Sequence, residues 1–117
     1  MRVTEIHYPG SPPVDGYGPG FFRVGGEVRE GPLLLLPAGI ERWDGLGDLD
    51  SILEQSDAID VLLMGMGPEI RPLTPEIRAR LEGAGIGVEI MATPPACRTY
   101  NVLLGEGRRV AAALLPV

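Results

Sequence analysis

The chain reads as short apolar runs separated by turn residues, and helical periodicity appears only in its second half. Leu33–Leu36, held between Pro32 and Pro37, is apolar throughout, and 59–66 is nearly so. Runs of this length without alternation predict strands buried on both faces. Residues 8–20 are dominated by glycine and proline, which predicts a turn-rich loop rather than a regular element. Phe21-Phe22-Arg23-Val24 and Glu27-Val28-Arg29 then flank Gly25-Gly26, the pattern of a hairpin. Residues 40–43 fit one more short strand.

The first helical signal is Asp48, a capping residue ahead of Leu49, Ile52 and Leu53 at helical spacing. Thr74-Pro75 is a stronger start, because threonine caps and proline suits the first helical position. Ile77, Leu81 and Ala84 give that helix one apolar stripe, while Glu76–Arg80 and Arg78–Glu82 pair at i, i+4. Gly83 and Gly85 end it. Gly87–Met91 predicts a strand. Thr93-Pro94 repeats the start signal for a helix over 94–104, with Ala96, Cys97, Tyr100, Leu103 and Leu104 on one face. Residues 109–115 make the last strand. Alternation of helix and strand predicts parallel crossover units, so 59–66 and 87–91 are expected to run parallel. The fold expected is α/β: one three-layer domain over 1–117, a mixed central β-sheet flanked by helices, and an N-terminal β-hairpin region.

Composition narrows the chemistry. The 117 residues are 44% hydrophobic and 22% charged, as in an ordinary globular domain. The net charge of −6 opposes binding to nucleic acid or to anionic lipid. All ten basic residues are arginine. Without lysine there is no side-chain Schiff base and no phosphate-loop lysine. One cysteine, Cys97, and one histidine, His7, exclude a disulfide, a thiolate zinc site or a multi-histidine metal site within one chain. No cofactor and no metal are expected. No apolar run approaches the ~20 residues of a membrane span. The start, Met1 to Ile6, has no apolar signal core, and with a single cysteine the cytoplasm is the expected compartment.

Candidate sites are few. Gly65-Met66-Gly67 ends a buried strand, where a phosphate loop would sit, but the third glycine is missing and tight turning explains the pair as well. Cys97 lies in the first turns of a helix beside Arg98, a setting that can activate a thiol. Its place on the apolar face with Tyr100 and Leu104 predicts a buried, inert one instead. None of Ser11, Ser51 and Ser56 sits in a nucleophile motif. No catalytic residue is assigned. The carboxyl ends of the crossover strands should bring Gly65 and Gly67 to Thr93, Cys97 and Arg98, the candidate ligand-binding set, able at most to hold an anion weakly. Trp43, with Phe21 and Phe22, is the candidate interaction surface.

The stretch 87–116, above all Ala96-Cys97-Arg98-Thr99-Tyr100-Asn101, is distinctive. It resembles the family of NADH dehydrogenase (complex I) assembly factor 3, which takes in the adipogenesis-associated Mth-domain proteins. Gly20 to Gly26, Gly31 to Pro37 and Met64 to Gly67 fit the same family, so the resemblance covers nearly the whole chain. Ala92 and Met66 depart from the polar residues that relatives often carry there. The resemblance implies a compact three-layer domain, no established catalysis, and work through protein partners. The function expected is therefore a non-enzymatic interaction or scaffold protein, an assembly helper for a respiratory or exported membrane complex. The alternative is a binder or enzyme with a pocket near Gly65–Gly67 and the start of the 94–104 helix.

Overall fold

A four-residue strand with no polar side chain has two apolar faces to cover, and the fold is arranged around that need. The computed structural model describes residues 10–117, and His7 lies outside them. Among the described residues eight strands, β1 (Val14–Gly18), β2 (Phe21–Val24), β3 (Glu27–Glu30), β4 (Leu33–Leu36), β5 (Gly39–Arg42), β6 (Val61–Met66), β7 (Gly87–Met91) and β8 (Val110–Leu115), are combined with helices α1 (Asp50–Glu54), α2 (Pro75–Gly83) and α3 (Thr93–Gly105). β5-β4-β8-β6-β7 form a mixed sheet, and β1-β2-β3 form a separate antiparallel sheet. β6 runs parallel to both β7 and β8, while β4 is antiparallel to β8. α2 crosses over from β6 to β7 and α3 from β7 to β8, so all three strands run the same way.

Strand pleating divides the central residues between two cores. Leu34 and Leu36 of β4, Leu62 and Met64 of β6, and Ala111 and Ala113 of β8 face α1 and α2, where they meet Ile52, Leu81 and Trp43. Leu33, Leu35, Leu63, Ala112 and Leu114 face the other way, onto Ala96, Cys97 and Tyr100 of α3 and onto Val14, Phe22 and Val24 of the small sheet. The expected three layers and mixed sheet are therefore present, with the β2–β3 hairpin on the α3 side. Gly25 and Gly26, at φ of 59° and 80°, close that hairpin in the left-handed conformation a two-residue turn requires.

Three local expectations are corrected. The glycine-rich stretch 8–20 contains β1, which pairs with β2 through an irregularity between Val14 and Gly16. Glycine and proline density signals turns, but an edge strand tolerates it when the neighbouring strand supplies the ladder. Asp48 is not the residue that caps α1. Leu49 occupies that position, although the Asp48 carboxylate still accepts from the Asp50 amide at 3.4 Å. Thr93 likewise lies inside α3, after Ala92 at the cap. By contrast, Thr74 caps α2 as expected, accepting from the Ile77 amide at 3.4 Å. No helix among the described residues is long and apolar enough to cross a membrane.

Candidate functional site

The carboxyl ends of β6 and β8 meet the start of α3 around Thr93. The Gly67 amide donates to Thr93 Oγ1 at 2.8 Å, and the Thr93 amide donates back to the Gly67 carbonyl at 2.7 Å. Thr93 Oγ1 in turn donates to the Leu115 carbonyl at 2.6 Å. One fully buried threonine thus fastens two strand ends to a helix. Gly65 admits that approach: a Cβ there would lie 2.8 Å from Thr93 Oγ1 and 2.9 Å from Leu114 Cδ2.

Gly65, Gly67 and Thr93 are therefore brought together, but the polar groups of Gly67 and Thr93 are spent on one another and on Leu115. The first amides of α3 are also accounted for. Thr93 donates to Gly67, Pro94 and Pro95 carry no N–H, and Ala96 closes the first helical turn onto Ala92 at 3.1 Å. The helix start has no donor left to offer an anion. Cys97 packs beneath, 3% exposed, in the core formed with Leu63 and Tyr100. Burial pushes its thiol up to about 11, and the Arg98 charge offsets only part of that. Arg98 itself is exposed, on the far side of the helix from the buried face.

The aromatic surface is corrected outright. Trp43 is 1% exposed, and its indole N–H donates to the Asp48 carbonyl at 2.8 Å. Phe22 is fully buried against α3, and only Phe21 is partly exposed, with its ring over Gly18. Strand alternation puts Phe21 and Phe22 on opposite faces, and Trp43 belongs to the other core altogether.

Asn101 belongs to the distinctive motif, and its role is visible only in the structure. Its Oδ1 accepts from the Val14 amide and its Nδ2 donates to the Val14 carbonyl, both at 2.8 Å. The carboxamide acts as a strand neighbour for the start of β1. Next to it, Tyr100 Oη donates to the Ser11 carbonyl at 3.2 Å, and Ser11 Oγ donates to the Leu36 carbonyl at 2.9 Å. An asparagine inside a helix is unfavourable by propensity, and that was the readable sign of a specific bond. The distinctive Ala96–Asn101 segment is thus a structural fastening, with Cys97 filling the core and Tyr100 and Asn101 holding the chain ahead of and within β1. Among the described residues no three His, Cys, Asp or Glu side chains converge to hold a metal.

The sequence profile of a family described as a protein of unknown function (DUF498/DUF598) matches residues 14–115. The chain belongs to that family. An uncharacterized protein of Rhodobacter capsulatus is 45% identical over 117 residues, covering all of this chain and 94% of its own. The mouse NADH dehydrogenase [ubiquinone] 1 alpha subcomplex assembly factor 3 is 32% identical over 124 residues. That match takes in 99% of this chain, which spans 66% of the mouse protein's length. Two solved structures share the family's fold. A crystal structure described as an outer membrane protein from Bartonella henselae superposes with a TM-score of 0.87 at 41% identity, covering 95% of this chain and 99% of that one. A Mth938-like domain from Bordetella pertussis superposes with a TM-score of 0.78 at 29% identity, covering 99% and 92%. The family expected from the Ala96–Asn101 motif is the family found.

Proposed function

We propose that this protein is a non-enzymatic interaction module that helps to assemble a respiratory membrane complex or an exported one, acting from the cytoplasm through a protein partner. The observation that carries the reading is the junction at Thr93. The one place where the fold would present a phosphate or substrate site has its donors bonded internally and the space over Gly65 filled by a threonine and a leucine. Relatives named as assembly factors of NADH dehydrogenase support the direction of the reading. The domain offers such work a rigid body, since each face of its central sheet is covered.

Deletion of the gene in its own organism tests the proposal. Membranes from the deletion strain should contain less assembled NADH:ubiquinone oxidoreductase on native gels, with subassemblies accumulating. Re-expression of the intact chain should restore the complex, and the tagged chain should retain subunits of those subassemblies. An unchanged amount of every respiratory complex and every exported membrane complex would sink the proposal.

A further inference from the structure

The central sheet ends at β7, which pairs with β6 alone. The Gly87 amide donates to the Asp60 carbonyl at 2.9 Å, so Gly87 turns its backbone toward β6. In a parallel ladder the direction alternates, and Glu89 and Met91 turn the same way. The N–H and C=O groups of Val88 and Ile90 therefore point outward from the sheet. Among the described residues no backbone bond covers them. Natural edges are usually blunted by proline, lysine, a bulge or a covering loop. β7 has no proline, lysine or bulge, and its one charged side chain is Glu89.

A second feature adjoins this edge. Ile70, Arg71, Pro72 and Ile90 line a shallow depression of about 330 Å³. Ile70 is 65% exposed, the highest value among the large apolar side chains of the described residues. It sits in the connection between β6 and α2, on the sheet face where Ile90 packs.

We propose that the outer edge of β7 and this depression together form a strand-addition site for an extended partner segment of apolar–basic–apolar pattern. The pairing geometry sets the pattern. Residues opposite Val88 and Ile90 would project onto the α2 face, where the depression is apolar apart from Arg71 at its rim. The residue between them would project onto the opposite face, beside the exposed Glu89, and a cation is the complement there. The net charge of −6 draws a basic segment and repels a second copy of this chain. A symmetric pairing of two β7 strands centred on Glu89 would also set two carboxylates face to face. Strand addition supplies affinity through main-chain bonds and specificity through alternate side chains.

This inference deepens the partner-binding reading, and it is tested by a separate measurement. The isotopically labelled full chain is titrated with two capped peptides, Thr-Val-Arg-Val-Thr and Thr-Val-Glu-Val-Thr, and followed by amide chemical shifts. Shifts are expected at Val88, Glu89, Ile90 and Ile70, with the arginine peptide bound about fivefold tighter. Glu89→Arg should invert that preference. Val88→Pro removes an outward amide at a position where an edge strand tolerates proline, so it should abolish binding while the spectrum keeps its dispersion. Shifts elsewhere, no shifts at millimolar peptide, or a preference unmoved by Glu89→Arg would overturn the site. Concentration-dependent shifts at β7 without peptide would overturn it too, in favour of self-pairing. None of these results depends on the deletion phenotype, so either proposal can fail alone.

Discussion

The five-stranded sheet and the three-stranded sheet both lean on α3, and they are held there by different forces. The central sheet presents Leu33, Leu35, Leu63, Ala112 and Leu114 to the helix, a broad dry surface. Its attachment is mostly nondirectional and spread over many side chains, with the Thr93 bonds added at the ends of β6 and β8. The small sheet adds Val14, Phe22 and Val24 to that core, but its outer strand β3 is largely exposed. Its position depends on a few directional bonds, namely the Asn101 pair to Val14, the Tyr100 bond to Ser11, and the Gly20 amide to the Val117 carbonyl at 2.9 Å. Burial by area makes one cooperative block. A few polar clamps make an appendage whose local stability can differ from the whole.

The largest expected effect comes from breaking the shared surface. Leu63→Ala should cost about 3 kcal/mol, since it empties a fully buried site between β6 and α3. Denaturant unfolding should show one transition moved to a lower midpoint, with both sheets lost together. Two separated transitions would show that the small sheet does not share in the global unfolding of the block at all.

Thr93→Val tests the junction of the central sheet with α3. The shape is kept, but the buried Gly67 amide and the Leu115 carbonyl lose their partner. About 2 kcal/mol should be lost in urea unfolding. A loss near zero would mean that water or backbone movement satisfies both groups.

Asn101→Ala separates the two sheets. It removes both bonds to Val14, and a gain in helix propensity of about 0.5 kcal/mol offsets part of the loss. The net cost should be about 1 kcal/mol. Hydrogen exchange is the informative readout: amides of Phe22 and Val24 should exchange faster, while Leu63 and Ala112 keep their protection. Equal acceleration everywhere would remove the distinction between block and appendage.

At neutral pH the smallest effect concerns the thiol under α3. The folded pKa of Cys97 is raised from 9.0 to about 11, so the unfolded chain releases the proton first as pH rises. This contribution to stability is complete below pH 9 and is lost on the way to pH 11. Cys97→Ala should flatten that part of the profile. At neutral pH the native thiol should react with a disulfide reagent far more slowly than in denaturant. Rapid stoichiometric labelling of the folded chain would show that the α3 side opens readily.

The sequence was informative wherever one residue or a short period decides the outcome. Leu33–Leu36 and 59–66 announced buried strands, the second-half alternation announced the parallel pairing of 59–66 with 87–91, and Thr74-Pro75 announced a helix start, because strand burial and capping are local in their causes. The same local reading misplaced β1, since a Gly-rich segment becomes a strand only when β2 offers it a ladder. It read Thr93 as a cap by analogy with Thr74. The two threonines have the same neighbour and different fates. Thr74 faces solvent and bonds its own helix, whereas Thr93 is turned into the ends of β6 and β8, which lie 26 and 22 residues away in the chain.

Sequence alone therefore determined the secondary structure of the core, the mixed α/β class, the burial of Cys97 and the family, because hydrophobic periodicity, turn chemistry and the Ala96–Asn101 motif are written in neighbouring residues. Tertiary structure alone decided what the polar residues of that motif are for, that Trp43 and Phe22 lie in two different cores, and which strand edge is left outward. Those outcomes depend on strand order and on contacts between distant segments. Each is settled only when the sheet closes and every buried donor has to find its acceptor.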